Sequence, residues 1–224
     1  MTELRLVIFD VDGTLVDSQA EIVGAMSEAF AAENMKTPDR AAILSIVGLS
    51  LPQAFAALCP GHDVSTQARL AGHYKAAFRD HATALDHTKS PLFDGALEAL
   101  HRLQGQDHTV LAVATGKSKR GLDRLIGQHG LTGMFVSQQV ADFHPSKPHP
   151  SMLLAALAET GIAATRAVMI GDTTYDMDMA RAAKVATIGV GWGYHAPALL
   201  RADRTIADFA ELDAAIDALT GEPA

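Results

Sequence analysis

The sequence predicts an α/β fold, a doubly wound parallel sheet with an inserted all-helical domain. From residue 91 onward, short apolar runs alternate with stretches of helical spacing, which is typical of a parallel sheet covered by helices. Residues 4–9 form one more apolar, β-branched run, which has no neighbouring strand in the sequence and must join the same sheet. The predicted core therefore comprises residues 1–16 and 86–224. Residues 17–85 show only helical spacing and form the insertion, termed the cap below.

The individual elements follow from the same patterns. The first strand ends where Gly13 signals a turn. The first cap helix, over residues 18–34, has Ile22 and Phe30 on one face and Ser18 at its N-cap position. Further helices are predicted over residues 39–46, 50–58, 63–84, 94–104, 118–129, 150–160 and 173–183. The remaining strands are predicted over residues 109–114, 134–136, 167–170 and 185–190.

Two carboxylates, Asp10 and Asp12, follow the first strand directly. The turn at Gly13 lets both lie at the mouth of the sheet, where open α/β folds bind ligands. Two close carboxylates resist ionising together unless a cation lies between them. An ordinary strand-end turn is the simpler interpretation of Asp and Gly here. A calcium loop of the EF-hand type also matches several oxygen-bearing positions, but Leu15 stands where that loop needs glycine, and a strand rather than a helix precedes it.

Three more polar segments follow predicted strands. Thr115 and Gly116 combine a hydroxyl with free backbone N–H groups at a helix start, a pattern that suits an anion site and a plain helix cap equally. Lys147 lies in a loop with three prolines, where a rigidly held ammonium can balance phosphate charge, although a solvated lysine is the simpler alternative. Asp172 and Asp176 are one helical turn apart and suit a hard cation, although Asp172 alone could be an N-cap. All these segments are predicted to meet at the carboxyl edge of the sheet.

The composition limits the class of function. The chain has 224 residues, of which 48% are hydrophobic and 20% are charged, which is enough for a sizeable core. Its net charge of -8 disfavours binding to nucleic acid or anionic lipid, so a phosphorylated ligand needs a local positive cluster. The only cysteine, Cys59, cannot form an internal disulfide and is predicted to be a buried apolar side chain. No signal peptide or membrane span is recognisable, and a cytoplasmic location is expected.

Together, these segments resemble the four ordered motifs of the haloacid dehalogenase-like superfamily, in the branch of phosphoglycolate phosphatases and β-phosphoglucomutases. The motifs are residues 10–18, Thr115-Gly116, Lys147-Pro148, and Gly171-Asp172 followed by Asp176. The resemblance spans nearly the whole chain and implies a Rossmann-like core with a helical cap inserted after the first motif. It also implies a Mg²⁺-dependent phosphatase that acts on a small phosphorylated metabolite, such as phosphoglycolate or a sugar phosphate.

The resemblance implies a role for each motif residue. Asp10 would be the nucleophile that forms an aspartyl-phosphate. Asp12 would be the general acid for the leaving alkoxide and then the general base for water. The side chains of Thr115 and Lys147 and the N–H of Gly116 would bind the phosphate oxygens, and Lys147 would also take part in catalysis.

The same resemblance implies a metal site. The carboxylates of Asp10 and Asp172 and the backbone carbonyl of Asp12 would hold Mg²⁺, while Asp176 would support the site from outside the coordination sphere. One departure lies in the second motif, which is Thr-Gly where many relatives have Thr-Asn or Ser-Asn. This change removes an amide side chain from the pocket. The second aspartate, which the dehalogenases lack, argues for phosphate chemistry.

The cap is expected to select the leaving group. The loop at residues 48–51, followed by Gln53, is predicted to face the core. A basic face on the last cap helix is interpreted as solvated rather than as a substrate contact. Its members are His73, Lys75, Arg79 and His81.

Three alternatives to a phosphatase remain open at this stage. A phosphomutase would protect its phosphoenzyme from water and need a bisphosphate activator. Another reaction on the same scaffold, such as phosphonate cleavage, would need a cap lysine, and Lys36 and Lys75 stand in no recognisable context. A non-catalytic phosphate-binding regulator would have no use for an intact nucleophile and acid. No pattern in the sequence indicates an oligomeric state.

Overall fold

The computed structural model describes residues 3–83 and 90–221, with the side chains of residues 80–83 excepted. Its strands are β1 (Arg5–Phe9), β2 (Thr109–Thr115), β3 (Ser137–Val140), β4 (Ala167–Gly171), β5 (Ala186–Val190) and β6 (Arg204–Ile206). Its first helices are α1 (Gln19–Ala32), α2 (Arg40–Leu44), α3 (Leu51–Leu58), α4 (Val64–Thr83) and α5 (Ala96–Gln104). Those that follow are α6 (Lys119–Gln128), α7 (Ser151–Thr160), α8 (Thr174–Ala183), α9 (Pro197–Leu200) and α10 (Leu212–Thr220).

The strands form one parallel sheet with the order β3-β2-β1-β4-β5-β6. This is the strand order of a doubly wound Rossmann-like fold, so the predicted fold class is confirmed. Strand β1 lies at the centre, between β2 and β4, and the direction of winding reverses there. Ligands of such sheets bind at the carboxyl ends of the strands beside that reversal. Here those ends are followed by Asp10 on β1 and Asp172 on β4.

The core strands are apolar because helices cover both faces of the sheet. All five residues of β1 and all five of β4 are buried. On one face, the helices α5, α6 and α10 pack against Val7, Phe9 and Val113. On the other face, α7 and α8 pack against Leu6, Ile8 and Met169. A strand covered on both sides reads as a continuous apolar run, which is why the sequence pattern identified it.

The helices α1–α4 lie between β1 and α5 and share a hydrophobic cluster of their own. Phe30, Phe55, Tyr74 and Phe78 form a row of aromatic rings, with centroids 6.3, 6.3 and 5.7 Å apart. Cys59 is 4% exposed at the edge of this cluster, as predicted for an apolar side chain. The predicted helical character of this segment is confirmed, while its distal boundary at residues 85–86 lies outside the described residues.

The prediction for the third strand is wrong. We expected residues 134–136, but β3 covers Ser137–Val140. Met134 and Phe135 are buried in the hydrophobic core below the sheet edge, so their apolar character reflects packing rather than strand pairing. The strand itself is polar, and its side chains satisfy one another: Gln139 Nε2 donates to Ser137 Oγ at 2.7 Å and to Glu159 Oε2 at 2.8 Å.

The structure also contains elements beyond residue 190 for which the sequence analysis made no prediction. They are α9, β6 and α10, and α10 contributes Leu212 and Ile216 to the core. Arg5 on β1 is 1% exposed and bonds to this end of the chain through Asp217, and also to Gln106 Oε1 at 2.9 Å. Within the described ranges, no helix combines the length and the apolar character that crossing a bilayer requires.

Candidate active site

The turn after β1 brings the first motif against the fourth. Gly13 has a φ of +84°, a conformation that favours glycine. A Cβ at this position would lie 2.2 Å from Asp172 Oδ2, so a side chain would also collide with that carboxylate. The hydroxyl of Thr14 donates to Asp172 Oδ1 at 3.0 Å. Residues that are far apart in the sequence are therefore tightly joined here, as predicted for the carboxyl edge of the sheet.

The Asp10 carboxylate is buried and not fully paired. The residue is 1% exposed, and neither of its carboxylate oxygens has an aligned hydrogen bond among the described residues. The ammonium of Lys147 lies 2.9 Å from Asp10 Oδ1. Burial raises the pKa of Asp10 to about 7, with Lys147 acting against this rise and Asp176 adding to it. An orphaned buried carboxylate of this kind requires an additional positive partner.

Lys147 joins the third motif to the fourth. Its Nζ donates to Asp176 Oδ1 at 2.6 Å, and its side chain is fully buried. Burial opposes the charge on Lys147, but Asp10 and Asp176 more than offset it and raise the pKa of the ammonium above its ordinary value. The other oxygen of Asp176 accepts from the N–H and the hydroxyl of Thr173 at 3.0 and 2.6 Å. Thr173 and Asp176 form a capping box at the start of α8, which holds Asp176 in place.

Asp172 completes a group of three buried carboxylates. Besides Thr14, it accepts a hydrogen bond from the N–H of Tyr194 at 2.8 Å. Burial raises the pKa of Asp172 well above its ordinary value, and the carboxylates of Asp176 and Asp10 add to the shift. One oxygen from each of these three aspartates lies within 4.8 Å of the others.

This group fits a hard divalent cation. Oxygen ligands from buried carboxylates are what Mg²⁺ binds in proteins, and the unpaired oxygens of Asp10 offer it a ligand. Both carboxylate oxygens of Asp176 already accept hydrogen bonds, one from Lys147 and the other from Thr173. This pairing suits the predicted role of Asp176 outside the coordination sphere of the metal. A single ammonium cannot neutralise three ionised carboxylates, so the group offers negative charge for a cation to balance.

Asp12 lies in a separate set of contacts. Its Oδ1 accepts from Lys117 Nζ at 2.6 Å and from Ser18 Oγ at 2.5 Å. The Ser18 hydroxyl lies 3.2 Å from the hydroxyl of Tyr194, which also accepts the backbone N–H of Ser18 at 3.0 Å. Ser18 thus precedes α1, as predicted, but its side chain caps no helix N–H and holds Asp12 instead.

Four residues of the site were not predicted from the sequence: Lys117, Ser18, Tyr194 and Thr173. Lys117 carried a usable signal, since it immediately follows Thr115 and Gly116 in the second motif. Its backbone N–H donates to Thr115 Oγ1 at 3.2 Å, and Thr115 is 1% exposed. Tyr194 carried no such signal, because it lies in a loop after β5 with no motif around it.

The cap rests on the core beside this site. A Cβ at Gly116 would lie 2.6 Å from the carbonyl oxygen of Gly48, so glycine is required for the two loops to approach. The N–H of Ser50 donates to Ser146 Oγ at 2.8 Å. The prediction that residues 48–51 face the core is therefore confirmed, whereas Gln53 is exposed and does not line the site.

A cavity of about 570 Å³ lies between the cap and the core. Asp10, Asp12, Thr115 and Gly116 line it from the core, and α1, α4 and the loop at residues 46–51 line it from the cap. Of the basic face predicted on α4, Lys75 and Arg79 are exposed but also line this cavity. His73 Nε2 instead lies 3.2 Å from Glu33 Oε1, and the side chain of His81 is outside the described residues.

Comparisons with known proteins identify the family of this chain. The family model described as haloacid dehalogenase-like hydrolase matches residues 7–190. The chain is 41% identical over 201 residues to the probable phosphatase IndB of Dickeya dadantii, covering 88% of this chain and 85% of that protein. It is 32% identical over 225 residues to the phosphoglycolate phosphatase of Mesorhizobium japonicum, covering 97% and 93%.

Solved structures support the same fold. A hydrolase from Pseudomonas syringae superposes with a TM-score of 0.84 at 24% identity, covering 97% of this chain and all of that one. The matched family model begins inside β1 and ends with β5, so it includes every motif that surrounds Asp10. The chain belongs to the haloacid dehalogenase-like hydrolase family.

Proposed function

We propose that this protein is a Mg²⁺-dependent phosphatase that hydrolyses a small phosphorylated metabolite through an aspartyl-phosphate. The observation that carries the proposal is the Asp10 carboxylate, which is buried at the floor of the cavity with Lys147 2.9 Å from Oδ1 and no hydrogen-bond partner for Oδ2 among the described residues. A carboxylate intended only for structure would be fully paired at this depth. A nucleophile needs its oxygens free and positioned.

The first half of the reaction makes the phosphoenzyme. A carboxylate oxygen of Asp10 attacks phosphorus, and the bond from phosphorus to the oxygen of the leaving alcohol breaks. Thr115 and the N–H of Gly116 line the cavity next to Asp10, where they can bind the phosphate oxygens. Lys147 holds Asp10 in position and offsets the negative charge that gathers there.

Asp12 acts in both halves of the reaction, and the second half returns the enzyme to its starting state. Asp12 lines the same cavity and is held by Lys117 and Ser18, so its carboxyl group is positioned to give a proton to the departing alkoxide. It then takes a proton from the water that attacks the phosphorus of the aspartyl-phosphate. Free phosphate leaves, and the Asp10 carboxylate is restored.

Asp10, Asp172 and the backbone carbonyl of Asp12 would hold Mg²⁺, with Asp176 supporting them through Lys147 and Thr173. When bound, the cation supplies charge to neutralise the phosphate and the carboxylates around it. The metal-ligand roles of these residues rest on the cluster of buried carboxylates and on the family resemblance.

The nature of the substrate follows from the relatives and the charge. Several relatives bear the name phosphoglycolate phosphatase, and one from Pseudomonas aeruginosa, 32% identical over 197 residues, is named 5'-nucleotidase. We propose a small phosphorylated metabolite as the partner, with neither nucleic acid nor membrane, since the net charge is -8. Residues 17–85 would act as a closing cap. A cytoplasmic location is in keeping with a fold that has a single cysteine.

The test is phosphate release by the purified protein with Mg²⁺ from a panel of phosphorylated metabolites, with Asp10→Asn in parallel. We expect release by the wild type and loss of at least about a thousandfold of activity in the variant, since the nucleophile is gone. Addition of EDTA should have a comparable effect. Phosphate trapped on Asp10 without release would indicate a mutase. If phosphate is neither released nor trapped, the proposal is contradicted and a non-catalytic regulator is favoured.

A further inference from the structure

The cavity above Asp10 is larger than phosphoglycolate needs. The cap is docked on the core in this structure: Gly48 lies against Gly116, Ser50 bonds to Ser146, and the Tyr175 hydroxyl donates to the carbonyl of Ser45 at 3.0 Å. The volume of about 570 Å³ lies within the range of roughly 300–1,000 Å³ typical of sites for drug-sized ligands. A phosphorylated two-carbon acid would leave much of it to water.

One wall of the cavity is apolar. It is formed by cap side chains that include Ile22 and Met26 on α1, Leu49, and Tyr74 and Phe78 on α4. The rings of Tyr74 and Phe78 lie 5.7 Å apart and are tilted by 33°. Burying a hydrocarbon or a ring against this wall would stabilise the complex with the substrate, whereas a short hydrophilic acid has no apolar surface to bury there.

Tyr74 adds a polar group to this wall. Its hydroxyl has no hydrogen-bond partner among the described residues. Burial raises the pKa of Tyr74 far above its ordinary value, and the nearby Asp12 carboxylate adds to this shift, so the hydroxyl remains a donor. A donor without a partner beside an apolar wall is a typical means of orienting a ligand.

The cavity is also positively charged beside this wall, where Lys117 and Arg124 lie 5.3 and 5.5 Å from the centre of the Phe78 ring. Lys75 and Arg79 from α4 and Arg120 from α6 line it, and no described residue forms an ion pair with any of the three. The two other lining cations are already paired, Lys117 with Asp12 at 2.6 Å and Arg124 with Glu21 at 3.6 Å. Among the described lining residues, the only acids are the two at the floor, although the chain as a whole has a net charge of -8.

We propose that the substrate is a phosphate monoester whose alcohol carries both a ring and a second anionic group. The ring would pack on Tyr74 and Phe78, and the second anion would face Lys75, Arg79 and Arg120. This inference rests on the proposed phosphatase function and deepens it. It separates the protein from enzymes that select a two-carbon acid, because the volume and the aromatic wall are of no use to such a substrate.

Three probe compounds test the two parts of the proposal. 4-Carboxybenzyl phosphate has the ring and the second anion, benzyl phosphate has only the ring, and 2-phosphoglycolate has only the second anion. We expect kcat/KM for 4-carboxybenzyl phosphate to exceed that for phosphoglycolate by about tenfold or more, since a hydrophobic pocket discriminates on that scale. It should exceed that for benzyl phosphate by about two- to fivefold, the range of exposed ion pairs.

Substitutions in the cavity test which residues cause these differences in kcat/KM. Lys75→Gln, Arg79→Gln and Arg120→Gln combined should reduce the ratio of kcat/KM between 4-carboxybenzyl and benzyl phosphate to about one. Lys119→Gln is the matched control, since Lys119 adjoins Arg120 on α6 but pairs with Asp123 and does not line the cavity. Tyr74→Ala, which removes the ring, should raise KM for both benzyl phosphates more than for phosphoglycolate.

Activity with p-nitrophenyl phosphate tests the phosphatase function separately from the inferred substrate class. If p-nitrophenyl phosphate and phosphoglycolate are hydrolysed with Mg²⁺ while the two benzyl phosphates are no better substrates than phosphoglycolate, the inference is overturned and the phosphatase stands. An unchanged ratio in the triple variant would overturn the anion subsite. If no compound is hydrolysed at all, the proposed function fails, and the inference fails with it.

Discussion

The two aspartates that follow β1 each pair with a different lysine. Lys147 Nζ lies 2.9 Å from Asp10, and Lys117 Nζ lies 2.6 Å from Asp12. Lys147 is also bonded to Asp176, so its ammonium is fully buried and immobile, whereas the Lys117 side chain is 10% exposed and lines the cavity. The two carboxylates are two residues apart and yet have different partners and different access to the substrate. Such a division suits one carboxylate that attacks and one that moves protons.

The metal-free protein should become less stable as the pH rises toward neutrality. The pKa of Asp10 is about 7 in the folded state against an ordinary value of 3.8, so the folded state holds a proton that the unfolded state has lost. Stability from this group is therefore full below about pH 4 and declines until about pH 7. The raised pKa of Asp172 acts in the same direction. Other groups titrate as well, so the informative quantity is the difference between two proteins.

Thermal unfolding of wild type and Asp10→Asn from pH 5 to pH 8, without metal, measures this difference. We expect the wild type to lose several degrees of Tm relative to the variant over this range. Mg²⁺ should raise the Tm of the wild type more at pH 8 than at pH 6, because the ionised carboxylates are the ligands. Parallel pH profiles for the two proteins would contradict the assigned shift.

At the scale of elements, the site depends on where strands end and helices begin. The carboxyl ends of β1, β2 and β4 supply Asp10, Thr115 and Asp172, and the start of α8 supplies Asp176. Lys147 is the exception, because six residues of loop separate it from the end of β3. The cap reaches this edge through a loop, and the contact between Gly48 and Gly116 brings the two backbones together without an intervening side chain.

Gly116→Ala should uncouple the cap from the core. The new Cβ would lie 2.6 Å from the carbonyl of Gly48, so the cap loop must move away, while the N–H at residue 116 is retained. Displacements of this size in catalytic geometry cost about a hundredfold in rate, and we expect kcat/KM to fall by about 10- to 100-fold. Steady-state kinetics with any accepted substrate measures the effect.

Gly127→Ala serves as the control for that substitution. Gly127 lies on α6, and a Cβ there meets no atom within 4 Å. We expect kinetics like those of the wild type and a slightly higher Tm, because alanine favours a helix over glycine by about 1 kcal/mol. Wild-type kinetics in Gly116→Ala would show that docking of the cap loop does not matter for turnover.

At the scale of the whole molecule, the charge is unevenly distributed. The net charge is -8, yet the cavity is lined by five basic residues and, among the described residues, by two acidic ones. The average field of the molecule should repel a phosphorylated substrate, while the local field at the cavity should attract it. The two fields predict opposite responses to salt.

The ionic-strength dependence of kcat/KM decides between them. Raising NaCl from about 10 to about 100 mM shortens the Debye length from about 30 to about 10 Å. If the local field dominates, kcat/KM for 2-phosphoglycolate should fall several-fold over this range. The triple Lys75, Arg79 and Arg120 variant should respond less. A rise in kcat/KM with salt would show that the overall negative charge governs the encounter.

Much of this arrangement was predictable from local pattern. The buried strands read as apolar runs because the sheet is covered on both faces, and the motif residues stand at strand ends that the alternation marks. The third strand was not predictable in this way, since Ser137 and Gln139 are polar and pair through the backbone beside an apolar segment. The short β6 and α10 follow the last motif, and neither was anticipated.

Local patterns were enough to predict the order of elements, the helical insertion and the identity of the residues at the carboxyl edge. Which groups meet at that edge depends on how distant parts of the chain pack. Lys117 and Asp12 are 105 residues apart, and Ser18 and Tyr194 are 176 residues apart, so no local pattern records either contact. The cavity and its positive rim have the same origin, because they arise where helices from the cap and the core face each other. Periodicity specifies which face of an element is buried, but the packing of whole elements determines what that face touches.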